Sequence, residues 1–138
     1  MTLVIDASLT MTWYFQDEST DATDAVLDRV SEQGAIVPAL WRLEVANAFQ
    51  MAIRRRRIDV AFRDAALSAL RAMPIVIDPE TELFAWSTSL GLAEQFGLTI
   101  YDAVYLDLAQ RRGLPLATLD QELRSAGRAL GVPLEGLA

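Results

Sequence analysis

Three residue types with distinctive chemistry are missing from this 138-residue sequence, which has no Cys, no His and no Lys, so that all 12 basic residues are Arg. Without Cys there is no disulfide framework, which fits a reducing compartment such as the cytoplasm. The absence of His and Lys excludes Ser-His-Asp and Cys-His nucleophilic sites, Ser-Lys dyads and Schiff-base lysines. Cys/His zinc sites are excluded as well. Catalysis, if there is any, falls to carboxylates, and clustered carboxylates require a hard, oxygen-seeking cation such as Mg²⁺ or Mn²⁺. No apolar run is long enough to span a membrane. The opening Met1-Thr2-Leu3-Val4-Ile5-Asp6 has no basic region ahead of its apolar stretch and does not read as a signal peptide.

The length fits one domain over residues 1–138. A hydrophobic fraction of 52% with a mean hydropathy of +0.22 is high for a small soluble monomer. It implies either a face covered by a second copy of the chain or a core rich in Ala and Leu. The net charge of −7 is the feature that fits a nucleic-acid partner least. Divalent cations held by some of the acids would reverse the local field, although the chain as a whole stays acidic.

Short apolar β-branched runs alternate with helical patterns. Strands are predicted at Leu3-Val4-Ile5, Ala35-Ile36-Val37, Ile75-Val76-Ile77 and Leu114 to Ala117, with a weaker one around Val132-Pro133-Leu134. Helices are predicted at about 20–33, 39–57, 59–72, 80–96, 102–112 and 120–130, and another just after Asp6. Gly34, Gly97, Gly113 and Gly131 each follow a periodic stretch, where a helix stop is wanted. Alternation with continuously apolar strands gives an α/β fold: a three-layer α/β/α sandwich around a mainly parallel sheet of four to five strands. Such sheets bind ligands beyond the carboxyl ends of their strands. Asp6 directly follows the first strand and Asp120 follows Leu116-Ala117-Thr118, so both reach one rim if those strands are parallel neighbours.

Asp6, Asp102 and Asp120 each stand where a helix begins, and each could be an ordinary N-cap. Glu44 has no such explanation. On a helical wheel Trp41, Val45, Ala48, Phe49 and Ala52 form the buried arc and Glu44 falls at its border, while Arg42, Asn47, Gln50 and Arg54 lie on the polar side. A carboxylate there needs a cation, and a metal fits better than the remote Arg55. Asn47, one turn on, could support Glu44 or be a plain surface amide. Asp107 lies about 140° around the helix from Asp102 and reads as a solvated or interface residue. Arg54, Arg55, Arg56 and Arg57 form the densest basic patch, read either as helix C-terminal charges or as a phosphate-contacting lip. Arg111-Arg112 favours the first of these readings. Trp13-Tyr14-Phe15 reads as a core or partner contact.

Four segments together resemble the PIN domain, and more narrowly the VapC-type toxins of toxin–antitoxin pairs. They are Val4-Ile5-Asp6-Ala7-Ser8, Pro38 through Asn47 around Glu44, Thr99-Ile100-Tyr101-Asp102-Ala103-Val104-Tyr105, and Leu116-Ala117-Thr118-Leu119-Asp120. The resemblance implies an Mg²⁺- or Mn²⁺-dependent endoribonuclease that cuts RNA, is neutralised by a small cognate antitoxin and forms a homodimer. It makes Asp6, Glu44, Asp102 and Asp120 the acidic, metal-holding quartet, with Asp6 and Asp102 the foremost ligands and Ser8 and Thr118 accessory hydroxyls. Two other functions are compatible with the residues. One is a PIN-like module that binds or regulates without cutting. The other, an α/β phosphatase or phosphotransfer domain with Asp6 as nucleophile, is disfavoured by the absence of Lys.

Overall fold

The computed structural model describes residues 2–137. Five strands, β1 (Val4–Ile5), β2 (Ala35–Val37), β3 (Ile75–Ile77), β4 (Leu116–Ala117) and β5 (Leu134–Glu135), form one sheet in the order β3-β2-β1-β4-β5. Every pairing is parallel, with Val4 opposite Ile36 on one side and Leu116 on the other. The helices are α1 (Ala7–Thr12), α2 (Asp21–Gln33), α3 (Trp41–Arg54), α4 (Val60–Ala72), α5 (Leu90–Phe96), α6 (Ile100–Arg112) and α7 (Gln121–Leu130). This is the expected three-layer α/β/α sandwich, with the weak fifth strand present. Among the described residues no helix is long and apolar enough to cross a membrane.

The central strands are sealed on both faces: Leu3, Val4, Ile5, Ile36, Val37, Leu116 and Ala117 are essentially inaccessible. Backbone polar groups there are satisfied by the parallel ladder, and continuous apolar side chains suit burial on both sides. Helix α6 is apolar nearly all round, with every residue from Ala103 to Ala109 buried, so it is the inner helix of its layer. The edge strand β3 exposes Val76 instead.

Helix boundaries follow local chemistry. Thr20, Asp59, Thr99 and Asp120 each cap a helix by accepting a backbone N–H. Gly97, Gly113 and Gly131 close helices in the left-handed conformation, as their positions in the sequence predict. Two expected helices are corrected. The one predicted over 39–57 stops at Arg54, and Arg56 takes a positive φ of 59°. The one predicted over 80–96 becomes turns followed by a π-helical segment, Ala85–Ser89, and only then α5. Asp78 shapes the first turn of this stretch. Its Oδ1 accepts from the Glu80 N–H at 3.1 Å and its carbonyl accepts from the Thr81 hydroxyl at 3.1 Å. Those local bonds compete with a helical ladder.

Candidate functional site

The chain leaves β1 for one side of the sheet, through β2 to β3, and later fills the other side with β4 and β5. The strand order therefore reverses between β1 and β4, where open α/β sheets form their ligand crevice. Asp6 follows β1, and Asp120 lies three residues beyond β4, its parallel neighbour. The condition set by the sequence reading is met.

Asp6 caps α1 and is only 6% exposed. Its Oδ1 accepts from the Leu9 N–H at 2.9 Å and from the Ser8 hydroxyl at 2.8 Å, while Oδ2 accepts from the Thr118 hydroxyl. Both lone pairs of Oδ1 are engaged; Oδ2 keeps one. Thr118 ties the rim together, because its hydroxyl also accepts from the Asp120 N–H at 3.1 Å. Asp120 caps α7 through Oδ1, which accepts from the Leu123 N–H at 2.8 Å, and is exposed. Beneath them the buried Arg124 donates to the Thr118 carbonyl at 2.9 Å and the Glu135 carbonyl at 2.8 Å, fixing the end of β4 against β5.

Asp102 is not a cap. Helix α6 opens two residues earlier with Thr99 as N-cap, whose hydroxyl accepts from the Asp102 N–H at 3.2 Å. Glu44 stands half-buried at the border of the apolar face of α3, as the wheel predicts. Its Oε1 accepts from the Tyr105 hydroxyl at 2.6 Å.

Electrostatics shows which of these groups sense one another. Burial pushes the Asp6 pKa up, and the charge of Asp102 adds to this. Burial likewise raises Glu44, helped by Asp102 and Asp6, although the Tyr105 bond works the other way. Asp102 is raised by burial and then by the charges of Asp120 and Glu122. The phenol of Tyr105 is held protonated by its own burial and by the carboxylate it faces. Asp6, Glu44 and Asp102 are thus within electrostatic reach of one another, and Asp120 acts on Asp102. Among the described residues no guanidinium pairs with any of them.

An all-oxygen donor set with surplus negative charge fits a hard divalent cation in kind. The geometry is more open than a closed cage, since among the described residues no three acidic side chains converge tightly enough to enclose an ion as they stand.

The basic patch is placed elsewhere. Arg54 lies ten residues beyond Glu44, about 15 Å along α3 at the usual helical rise. Arg57 already serves structure: it pairs with Asp17 at 3.2 Å and Glu18 at 3.8 Å and lies 4.3 Å over the Phe15 ring. Phe15 and Tyr14 pack on Phe49, and the Trp13 indole donates to the Thr23 carbonyl at 3.1 Å, so the aromatic triplet is a packing element. Arg54, Arg55 and Arg56 face solvent, as does Asn47.

Asp107 corrects the sequence reading. It is 4% exposed and neither solvated nor on a free face; it pairs with Arg111 at 3.2 Å. Arg111 also reaches Asp78 at 2.9 Å, and Arg112 reaches it at 3.3 Å. These arginines are partners of buried acids rather than simple helix-end charges. The sequence reading also missed Tyr105 and Arg124 as members of the site's framework.

The model of the PIN domain family matches residues 3–129, nearly the whole chain. This chain belongs to the PIN domain family. Ribonuclease VapC3 of Mycobacterium tuberculosis is 32% identical over 124 residues, covering 90% of this PIN domain and 86% of that protein. Ribonuclease VapC3 of Pyrobaculum aerophilum is 28% identical over 133 residues, covering 96% of this chain and all (100%) of that one. The crystal structure of PAE2754 from Pyrobaculum aerophilum superposes with a TM-score of 0.70 at 26% identity, covering 97% of this PIN domain and 83% of that chain. FitAcB from Neisseria gonorrhoeae shares the fold with a TM-score of 0.66 at 13% identity, over 96% of each chain.

Proposed function

We propose that this PIN domain is an endoribonuclease that cleaves RNA phosphodiester bonds, using Mg²⁺ or Mn²⁺, and acts as the toxin of a toxin–antitoxin pair. One observation supports the reading: Asp6 and Asp120 follow neighbouring parallel strands, Asp102 senses the charge of Asp120, Glu44 senses those of Asp6 and Asp102, and among the described residues no arginine pairs with any of the four. Similarity to two proteins named as ribonucleases supplies the reaction class.

Asp6 and Asp102 would be the foremost ligands, Asp6 through the remaining lone pair of Oδ2. Glu44 and Asp120, each with one oxygen outside its hydrogen bond, would complete the set. A divalent ion held there would supply a water of lowered pKa and a countercharge for the phosphate oxygens. Ser8 and Thr118 hold Asp6 at fixed orientation, so that little reorganisation is needed when the phosphate arrives. With no His or Lys in the chain, the departing oxygen takes its proton from solvent. Arg54, Arg55 and Arg56 are the solvent-facing phosphate contacts of this reading, Asn47 supports Glu44, and Arg57 contributes only if RNA draws it from Asp17. A small cognate antitoxin and a homodimer complete the assembly; Leu83, Trp86, Leu90 and Tyr101 are large apolar groups left exposed for such contacts.

Asp6→Asn keeps the cap and removes the charge. RNA cleavage in Mg²⁺ should fall by about two to three orders of magnitude, the scale of losing a key electrostatic group. Undiminished cleavage would end the proposal. The open geometry of the acids favours one second reading, a PIN-like module that binds or regulates without cutting. Its mark would be RNA or partner binding that Asp6→Asn leaves untouched in a chain with no cleavage activity.

A further inference from the structure

Tyr105 is 1% exposed and one turn along α6 from Asp102. A Phe there would fill the same apolar space with no polar obligation, whereas a buried Tyr hydroxyl must find a partner. Its partner is Glu44 Oε1, 61 residues away and on another helix. Glu44 needs holding. It is a long side chain at a helix border, and Asp102 and Asp6 both repel it. An arginine in the same place would orient Glu44 but also cancel its charge and compete with a cation. A neutral hydroxyl orients without neutralising.

We infer that Tyr105 is the positioning residue for Glu44, anchoring one oxygen of its carboxylate so that the other is kept for the divalent cation. This deepens the ribonuclease reading and rests on it for the catalytic consequence alone. Tyr105 touches neither the ion nor RNA; it acts through Glu44.

The test is Tyr105→Phe in the full chain, beside Glu44→Gln and the double variant. Tyr105→Phe should lower kcat in Mg²⁺ about tenfold with KM for RNA within about twofold, the pattern of a misplaced catalytic group rather than lost binding. In the absence of RNA, Mn²⁺ affinity by titration calorimetry should weaken about tenfold, the low end of the range for residues that orient metal ligands. In the Glu44→Gln background, Tyr105→Phe should change both quantities less than about twofold, because the carboxylate it aims is gone. Unchanged kcat and Mn²⁺ affinity in Tyr105→Phe would overturn the inference. Equal losses on both backgrounds would do the same, marking a merely structural bond. A wild-type chain that binds Mn²⁺ but cuts no RNA overturns the ribonuclease reading and leaves the inference to the titration. Failure to bind Mn²⁺ at all overturns both.

Discussion

Asp6 follows β1 and Asp78 follows β3, at the same edge of one parallel sheet, and both are almost inaccessible to solvent. Their surroundings are opposite in sign. Asp78 has Arg111 at 2.9 Å and Arg112 at 3.3 Å, with Asp107 and Glu80 sharing the same guanidinium pair. Burial alone would raise its pKa, but the bonds from Arg111, the Glu80 N–H and Arg112 hold it below the usual range. Asp6 has hydroxyls and one backbone N–H, no arginine among the described residues, and a pKa pushed up by burial. Burial of a carboxylate is costly either way. At Asp78 the chain supplies the countercharge itself, which makes a structural clamp between β3 and α6. Around Asp6, among the described residues, no guanidinium supplies a countercharge, which is the difference the proposed cation would answer.

The sharpest way to break this comparison is to remove the cation from the self-neutralised side. Arg111→Met leaves Asp78 and Asp107 buried with a missing partner and should cost about 3–5 kcal/mol of unfolding free energy in urea. The loss should be structural, with the folded fraction keeping its ribonuclease rate. A cost below about 1 kcal/mol would place the clamp among ordinary surface pairs.

The second test supplies the missing countercharge to the other side. Mn²⁺ at about one hundred times its dissociation constant should stabilise the chain by about 2.7 kcal/mol, read as a rise in melting temperature. The combined Asp6→Asn and Asp102→Asn variant should lose that rise. A rise that survives both substitutions would move the ion elsewhere.

The smallest effect is in pH. Asp6, Glu44 and Asp102 have folded pKa values above their ordinary values of 3.8, 4.5 and 3.8, so their contribution to stability is full below those values and is lost as pH rises through the folded ones. Asp78, lowered from 3.8, does the reverse: its contribution is present above that value and is lost as pH falls through the folded one. In chelator, Asp102→Asn should therefore gain stability relative to wild type as pH rises above about 4, because the charge that burial and its acidic neighbours oppose is gone. A difference that does not vary with pH would mean that the acids at this edge do not burden one another.

The candidate site was more legible in the sequence than its support. Asp6 could be read because strand 1 is a short apolar run that ends on an acid, and strand ends are where α/β sheets bind. Glu44 could be read because a helical wheel exposes a charge at the border of an apolar arc. Tyr105 could not, since α6 is buried all round and offers no polar face against which a hydroxyl would stand out. Asp107 was misread because its angle from Asp102 is a property of the helix alone, while its burial depends on what packs against it. Its arginine neighbour Arg111 also reaches Asp78, 33 residues away. The late start of α5 is different in kind: helical periodicity is visible in 80–96, but it does not register local side-chain bonds such as those of Asp78 with Glu80 and Thr81.

Composition and periodicity by themselves determined that carboxylates must do any chemistry here, that strands and helices alternate, and where each strand hands over to a helix. Those are consequences of residue type and local spacing, which the chain carries wherever it goes. Only the folded sheet decided that Asp6 and Asp120 share an edge, that Tyr105 meets Glu44, and that two arginines serve Asp78 while none serves Asp6. Each of those depends on strand pairing or helix packing between segments far apart in the chain, which no neighbour in sequence fixes.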